Sequence, residues 1–255
     1  MSIALRCLTT LAAVVLLVSA VTPALHAHPQ ASTADITLLN AANHDRAAAG
    51  LPPLKWDDAL AAAAHQHALL MAKANTLSHQ LPGEPPMQDR ARRAGARFSL
   101  IAENVAEGPS IPGLHTQWMN SPPHRANLLD PQLNSVGISV VQSGNMYFAV
   151  QDFSTAVPSL SLKDQEQAIS SQLLALGMQN VGATADARKT CETDRGWTGP
   201  KPALVLRYES GDLNNLPEEV EQKVSSGKYH SATVGACEAQ GSGTFAHYRF
   251  AMLFF

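Results

Sequence analysis

His79, Glu103 and His124 are the side chains of this 255-residue chain whose types suit joint chemistry, in the stretches Leu77-Ser78-His79, Ala102-Glu103-Asn104-Val105-Ala106 and Ser121-Pro122-Pro123-His124. Two neutral imidazoles and one carboxylate suit Zn²⁺ or another divalent metal, with a coordination position left for water. Water held that way can become a hydrolytic nucleophile. The same groups would also let Glu103 orient a histidine as general base, or would tie loops to a sheet as a buried hydrogen-bond network without chemistry. Sequence proximity leaves all three open. Serine followed by two prolines is a helix start, which places His124 at a helix N-terminus and biases it toward neutral imidazole.

Other candidates carry blander expectations. His65 and His67 lie two apart on one helical segment and so point to different faces, as surface and boundary residues. Arg90, Arg92, Arg93 and Arg97 read as a solvated helix face, with a patch for anionic surfaces as the alternative. Ser78, Ser121 and Ser139 lack the G-x-S-x-G setting of a nucleophile elbow, which disfavours a serine hydrolase. Trp118 and Tyr147 fall where the periodicity calls for core. Trp197, between Gly196 and Gly199, is either an exposed tip or a cover over Cys191 and Cys237. Those two cysteines suggest one disulfide, with two buried thiols as the alternative.

The elements that must position these groups follow from periodicity and punctuation. Helical spacing predicts helices over about 35–49 and 56–75, the second opening on Asp57-Asp58 in accord with the helix dipole. Residues 80–88, with three prolines and a glycine, must be loop. Short helices are expected near 89–95 and 114–120, extended chain at 99–106, and a β-hairpin from 135–142 and 146–153 around Ser143-Gly144-Asn145. A linker at 157–162 then separates a second pattern of α–β–α–β–β over 163–255, which holds more than half of the aromatic residues and so has material for its own core.

Asn43-His44-Asp45-Arg46 with Leu51-Pro52-Pro53-Leu54, then Leu77-Ser78-His79, Ala102-Glu103-Asn104-Val105-Ala106 and the run from Trp118 to Leu129 resemble, in order and spacing, the bacterial branch of the CAP superfamily. That superfamily includes cysteine-rich secretory proteins, antigen 5 and pathogenesis-related proteins, and its shared unit is also called the SCP-like domain. Val136-Gly137-Ile138 and Gln151-Asp152-Phe153 extend the likeness over about residues 36–155. The resemblance implies an α+β fold: an α–β–α sandwich with a small antiparallel sheet, followed here by a second small α+β domain. It also implies a cleft lined by two histidines and two glutamates. His79, Glu103 and His124 match three of these, whereas Ser121 stands where many members have the second glutamate, so the tetrad is incomplete.

Composition bounds the remainder. With 18 basic against 21 acidic residues, a net charge of −3 and no basic run, the composition argues against nucleic acid as a partner. A basic start ending at Arg6, an apolar run over 8–21 and small residues up to Ala27 read as a secretory signal peptide over 1–27, a retained anchor being the alternative. A flexible lead-in over 28–35 precedes a CAP domain over 36–156, the linker over 157–162 and the second domain over 163–255, with no transmembrane segment once the signal is removed. The expectation is a secreted protein, extracellular or periplasmic, acting as a binding module for an unknown protein, lipid or cell-envelope polymer. Its cleft would take Zn²⁺ or another divalent metal. The alternatives are a metal-assisted hydrolase of peptides or cell-envelope polymers, with His79, Glu103 and His124 as catalytic residues, and a lipid-binding protein.

Overall fold

The computed structural model describes residues 31–239 and 245–255; the expected signal peptide lies outside them. Helix α1 (Thr33–Ala48) starts earlier than its periodicity suggests, because Ser32 and Asp35 form a capping box that satisfies two free N–H groups. Residues 33–35, assigned to a flexible lead-in, are therefore helical. Strand β1 (Lys55–Trp56) leads into α2 (Asp58–Ala74), whose N-cap Asp57 accepts from the N–H groups of Ala59 and Leu60. Helix α2 ends at Asn75 in the left-handed conformation, φ 49°.

A loop then leads to α3 (Met87–Arg93), β2 (Phe98–Gly108), α4 (Ile111–Asn120), α5 (Pro122–Leu128) and the hairpin β3 (Ser135–Ser143) and β4 (Met146–Ala156). The hairpin turns at Gly144, whose φ of +58° a side chain would strain. The first sheet has the order β1-β3-β4-β2. Its long pairings are antiparallel as expected, but the two-residue β1 joins β3 in parallel.

Alternation along the strands divides the core between two faces. Val105, Phe148 and Val150 pack under α2 with Ala64, Ala68 and Met71, while Ala106, Ala149, Phe153 and Ile138 pack with Leu38, Leu114, Trp118 and Leu128 of α1, α4 and α5. Trp118 is core, as its period predicts, and its indole N–H donates to the carbonyl of Val105. Arg46 is buried as well and donates to the carbonyls of Pro52, Leu128, Asp130 and Leu133, which gives it a structural role. Strand β2 is an outer strand of the sheet, so groups from both helical layers can meet past its edge.

A second sheet, β5-β7-β8-β6, follows. It comprises β5 (Asn180–Ala183), β6 (Leu204–Ser210), β7 (Ser231–Cys237) and β8 (Tyr248–Phe254), with helices α6 (Leu162–Ala175), α7 (Ala185–Cys191) and α8 (Glu218–Ser225). The expected α–β–α–β–β pattern lacks β5 and α7. The first is a four-residue, largely exposed edge strand and the second a seven-residue helix capped by Thr184, and neither is long enough to show a period. Cys191 at the end of α7 and Cys237 at the end of β7 form a disulfide beneath Ala187, Ala251 and Leu253. Trp197 does not cover that bridge closely enough to be buried; 48% of it is exposed.

The two sheets touch through a few defined contacts. The Ala246 N–H donates to the carbonyl of Phe98, and the rings of Phe98 and Phe245 meet edge to face at 5.9 Å, while the Val157 N–H prolongs the β2–β4 pairing by donating to the carbonyl of Arg97.

Candidate functional site

The loop after α2 brings His79 to one side of the β2 edge, and the first turn of α5 brings His124 to the other, their ring centroids 6.5 Å apart. Glu103 projects from β2 on the α2 face and is almost fully buried. Its Oε1 accepts from His79 Nδ1 at 2.8 Å, and its Oε2 accepts from an Nη of Arg90 on α3. The three expected site residues are thus gathered at one place, but they are not equivalent. Both oxygens of Glu103 are occupied by protein donors, and only the imidazoles offer nitrogens to the cleft. Among the described residues no three His, Cys, Asp or Glu side chains are arranged to hold a metal together.

Because Nδ1 of His79 carries its proton toward Glu103, Nε2 is the nitrogen left bare in the neutral ring. The side chain is 60% exposed. The hydrogen bond to Glu103 holds the imidazolium form to a higher pH than usual, against a smaller opposing effect of burial. His124 shifts the other way: partial burial, then the neighbouring His79, disfavour its charged form. The neutral bias expected from a helix N-terminus is present in direction, with burial as its largest cause.

Ser121 is the N-cap of α5, yet its hydroxyl makes no capping hydrogen bond; its carbonyl accepts from the N–H of Arg125. Position and proline therefore start this helix without the side-chain bond that a serine normally supplies. On the other face of β2, the Asn104 amide donates to the carbonyl of His124 at 3.0 Å, and Asn127 donates to Asn104 Oδ1 at 2.9 Å and to the carbonyl of Glu103 at 3.3 Å. These amides fasten α5, and with it His124, to the strand that carries Glu103.

Two groups of the site escape sequence reasoning. Arg90 belongs to the run expected to face solvent, yet it is buried and turned inward, while Arg92 and Arg93 remain exposed. Asp152 pairs directly with Glu103 across β2 and β4 and has no exposed surface. Neither of its carboxyl oxygens has a hydrogen-bond donor. Burial, followed by the charge of Glu103, raises its pKa well above the usual carboxylate range. His67, expected at the surface or boundary, is fully buried. His65 is half-buried with Nδ1 3.0 Å from the Ser139 hydroxyl, away from the cleft.

Residues 39–153 match the CAP family, described as the cysteine-rich secretory protein family. That part of the chain belongs to it. Among curated relatives, the CAP domain is 32% identical over 106 residues to the uncharacterized protein YkwD of Bacillus subtilis, covering 41% of each chain. It is 31% identical over 84 residues to an uncharacterized protein of Borreliella burgdorferi, covering 33% of this chain and 54% of that one. The chain thus spans about half or less of the length of these relatives. Among solved structures, an extracellular SCP-domain protein of Bacillus anthracis aligns at 32% identity over 48% of this chain and 40% of that one, with a TM-score of 0.44. An outer surface protein of Borrelia burgdorferi aligns at 22% identity over 50% of this chain and 96% of that one, with a TM-score of 0.47.

Proposed function

We propose that this chain is a secreted binding module whose CAP cleft takes up a divalent metal ion through His79 and His124, the second domain supplying recognition or attachment. The observation that carries this reading is the contact between His79 Nδ1 and Glu103, which leaves Nε2 turned outward within reach of a second imidazole biased to its neutral form. A carboxylate behind a ligating histidine is the common way to fix its tautomer and raise its basicity. Glu103 therefore supports the site from behind. When bound, the ion would offer a Lewis-acid attachment point for an oxygen-bearing group on a partner.

The donor set fits an ion that accepts imidazole nitrogen and completes its shell with water, as zinc does. With two protein ligands the affinity would be modest and sensitive to pH. A hydrolase would need a further base or nucleophile beside the pair. Ser121 supplies no carboxylate where family members place one, and Glu103 is already engaged, so binding is the better-supported use of the cleft. Secretion rests on the signal-like segment over 1–27.

The test is calorimetric titration of Zn²⁺ into metal-free mature protein beside folded His79→Ala and His124→Ala variants. Binding by the parent that is lost in both variants supports the reading. Absence of binding by the parent, or its persistence in both variants, refutes it.

A further inference from the structure

The loop that carries His79 has neither helix nor strand between Asn75 and Met87, so something other than a backbone ladder must fix it. His67 of α2 lies beneath this loop. Its Nδ1 is 2.8 Å from Glu84 Oε1 and its Nε2 is 2.8 Å from the carbonyl oxygen of Ser78. Both ring nitrogens of His67 thus meet oxygens of the loop. The second oxygen of Glu84 accepts from the Leu81 N–H at 3.0 Å, and the Gln80 side-chain amide donates to the Glu84 carbonyl at 2.7 Å. Glu84 thus folds the loop around itself.

Arg90 completes the arrangement. One guanidinium nitrogen is 3.6 Å from Glu84 Oε1 and donates to the His79 carbonyl at 3.1 Å, while the other donates to Glu103 Oε2. Imidazole, carboxylate, guanidinium, carboxylate and imidazole therefore follow one another from His67 through Glu84, Arg90 and Glu103 to His79. The first four are buried and the last opens to the cleft.

We propose that Arg90, backed by Glu84 and His67, is a positioning residue of the CAP cleft. Its planar fork holds the backbone of His79 and the carboxylate of Glu103 to one rigid group, so the imidazole meets Glu103 through Nδ1 and presents Nε2 outward. Lysine would keep the charge but not the fork. Glu84 and His67 act through Arg90 and the loop; neither touches the cleft's ligand. This inference rests on the reading of His79 as the ligand-facing group, but it concerns the metal-free protein.

The experiment is ¹⁵N-resolved NMR of the histidine rings in metal-free protein, at a pH where His79 is neutral. It compares the parent with Arg90→Lys and Glu84→Gln, each checked for folding by amide dispersion. The parent is expected to hold His79 mainly as the Nδ1–H tautomer. The folded variants should lose that preference and shift toward the Nε2–H form favoured in solution. A destabilised fold alone would lower the melting temperature without moving the tautomer. The proposal is overturned if the parent lacks the Nδ1–H preference, or if a folded variant retains it in full. It is also overturned if both variants fail to fold, because the cluster would then be a stability element. No metal is present, so failure of zinc binding would remove the proposed function and leave this result standing.

Discussion

Glu103 and Asp152 face each other across adjacent strands as two buried carboxyl groups, and only Glu103 receives hydrogen bonds from protein donors. A buried carboxylate without a donor is costly, whereas a carboxylic acid can donate its proton to the neighbouring carboxylate. Asp152 is raised above its ordinary pKa, so its contribution to stability is fully present below about pH 4. That contribution is lost as pH rises toward the folded value, with a limiting slope of about 1.4 kcal/mol per pH unit. Asp152→Asn keeps the shape and a donor but cannot ionise. Urea unfolding should find the Asn variant gaining on the parent between pH 4 and pH 7. An equal loss of stability at both pH values would mean that Asp152 is held ionised.

His79 gives a second pH dependence of defined sign. Its pKa is raised, chiefly by the hydrogen bond to Glu103, so the stability from this contact is present below about pH 6.5 and fades as pH rises through the folded value. Metal uptake has the opposite preference, because the proton and the metal compete for the imidazole. Zinc affinity should therefore fall as pH drops through the His79 value. Glu103→Gln should move the His79 titration back toward its ordinary value and weaken zinc binding by roughly 10–100-fold. NMR titration of the His79 ring, paired with calorimetry, checks both effects. A variant with unchanged affinity and unchanged titration would deny Glu103 its supporting role.

The gathering of His79, Glu103 and His124 was legible because each sits in a short motif whose order and spacing resemble a known pattern. The hairpin was legible because its strands alternate and Gly144 marks the turn. Arg90 was not, because four arginines within eight residues look like a solvated face until the loop and strand that enclose one of them are known. Asp152 was hidden for a related reason: its neighbour Glu103 lies on another strand, and only the pairing register puts them together. In the second domain the long apolar strands stand out, but β5 and α7 are too short for periodicity to distinguish from loop.

Gly137 lies where β3 runs directly beneath the start of α2. A Cβ at this position would come within 2.0 Å of the backbone nitrogen of Ala61 and 2.2 Å of the carbonyl carbon of Leu60. Backbone atoms cannot rotate away as a side-chain end can, so Gly137→Ala must shift the whole first turn of α2 off the sheet. The expected cost is about 3 kcal/mol, at the upper end for overpacking. Thermal unfolding should show the CAP domain melting substantially lower. A change within about 0.5 kcal/mol, the range of an ordinary surface substitution, would show that α2 has room to move.

The disulfide between Cys191 and Cys237 closes a loop with a sequence separation of 46 residues, which runs from the end of α7 through β6, α8 and β7. In the chain-entropy account such a closure raises stability by roughly 4 kcal/mol through restriction of the unfolded chain. The half-cystines are also buried with Ala187, Ala251 and Leu253, so alanine at both positions removes some packing as well. The double variant Cys191→Ala/Cys237→Ala should accordingly lose most of the stability of the second sheet. The CAP domain joins that sheet through limited contacts around Phe98 and residues 245–246, so its own unfolding should change far less. Hydrogen exchange that distinguishes amides of β7 and β8 from those of β3 and β4 would measure the two responses in one sample. Equal loss of protection in both sheets would instead mean that the chain unfolds as one cooperative unit, with the disulfide stabilising all of it.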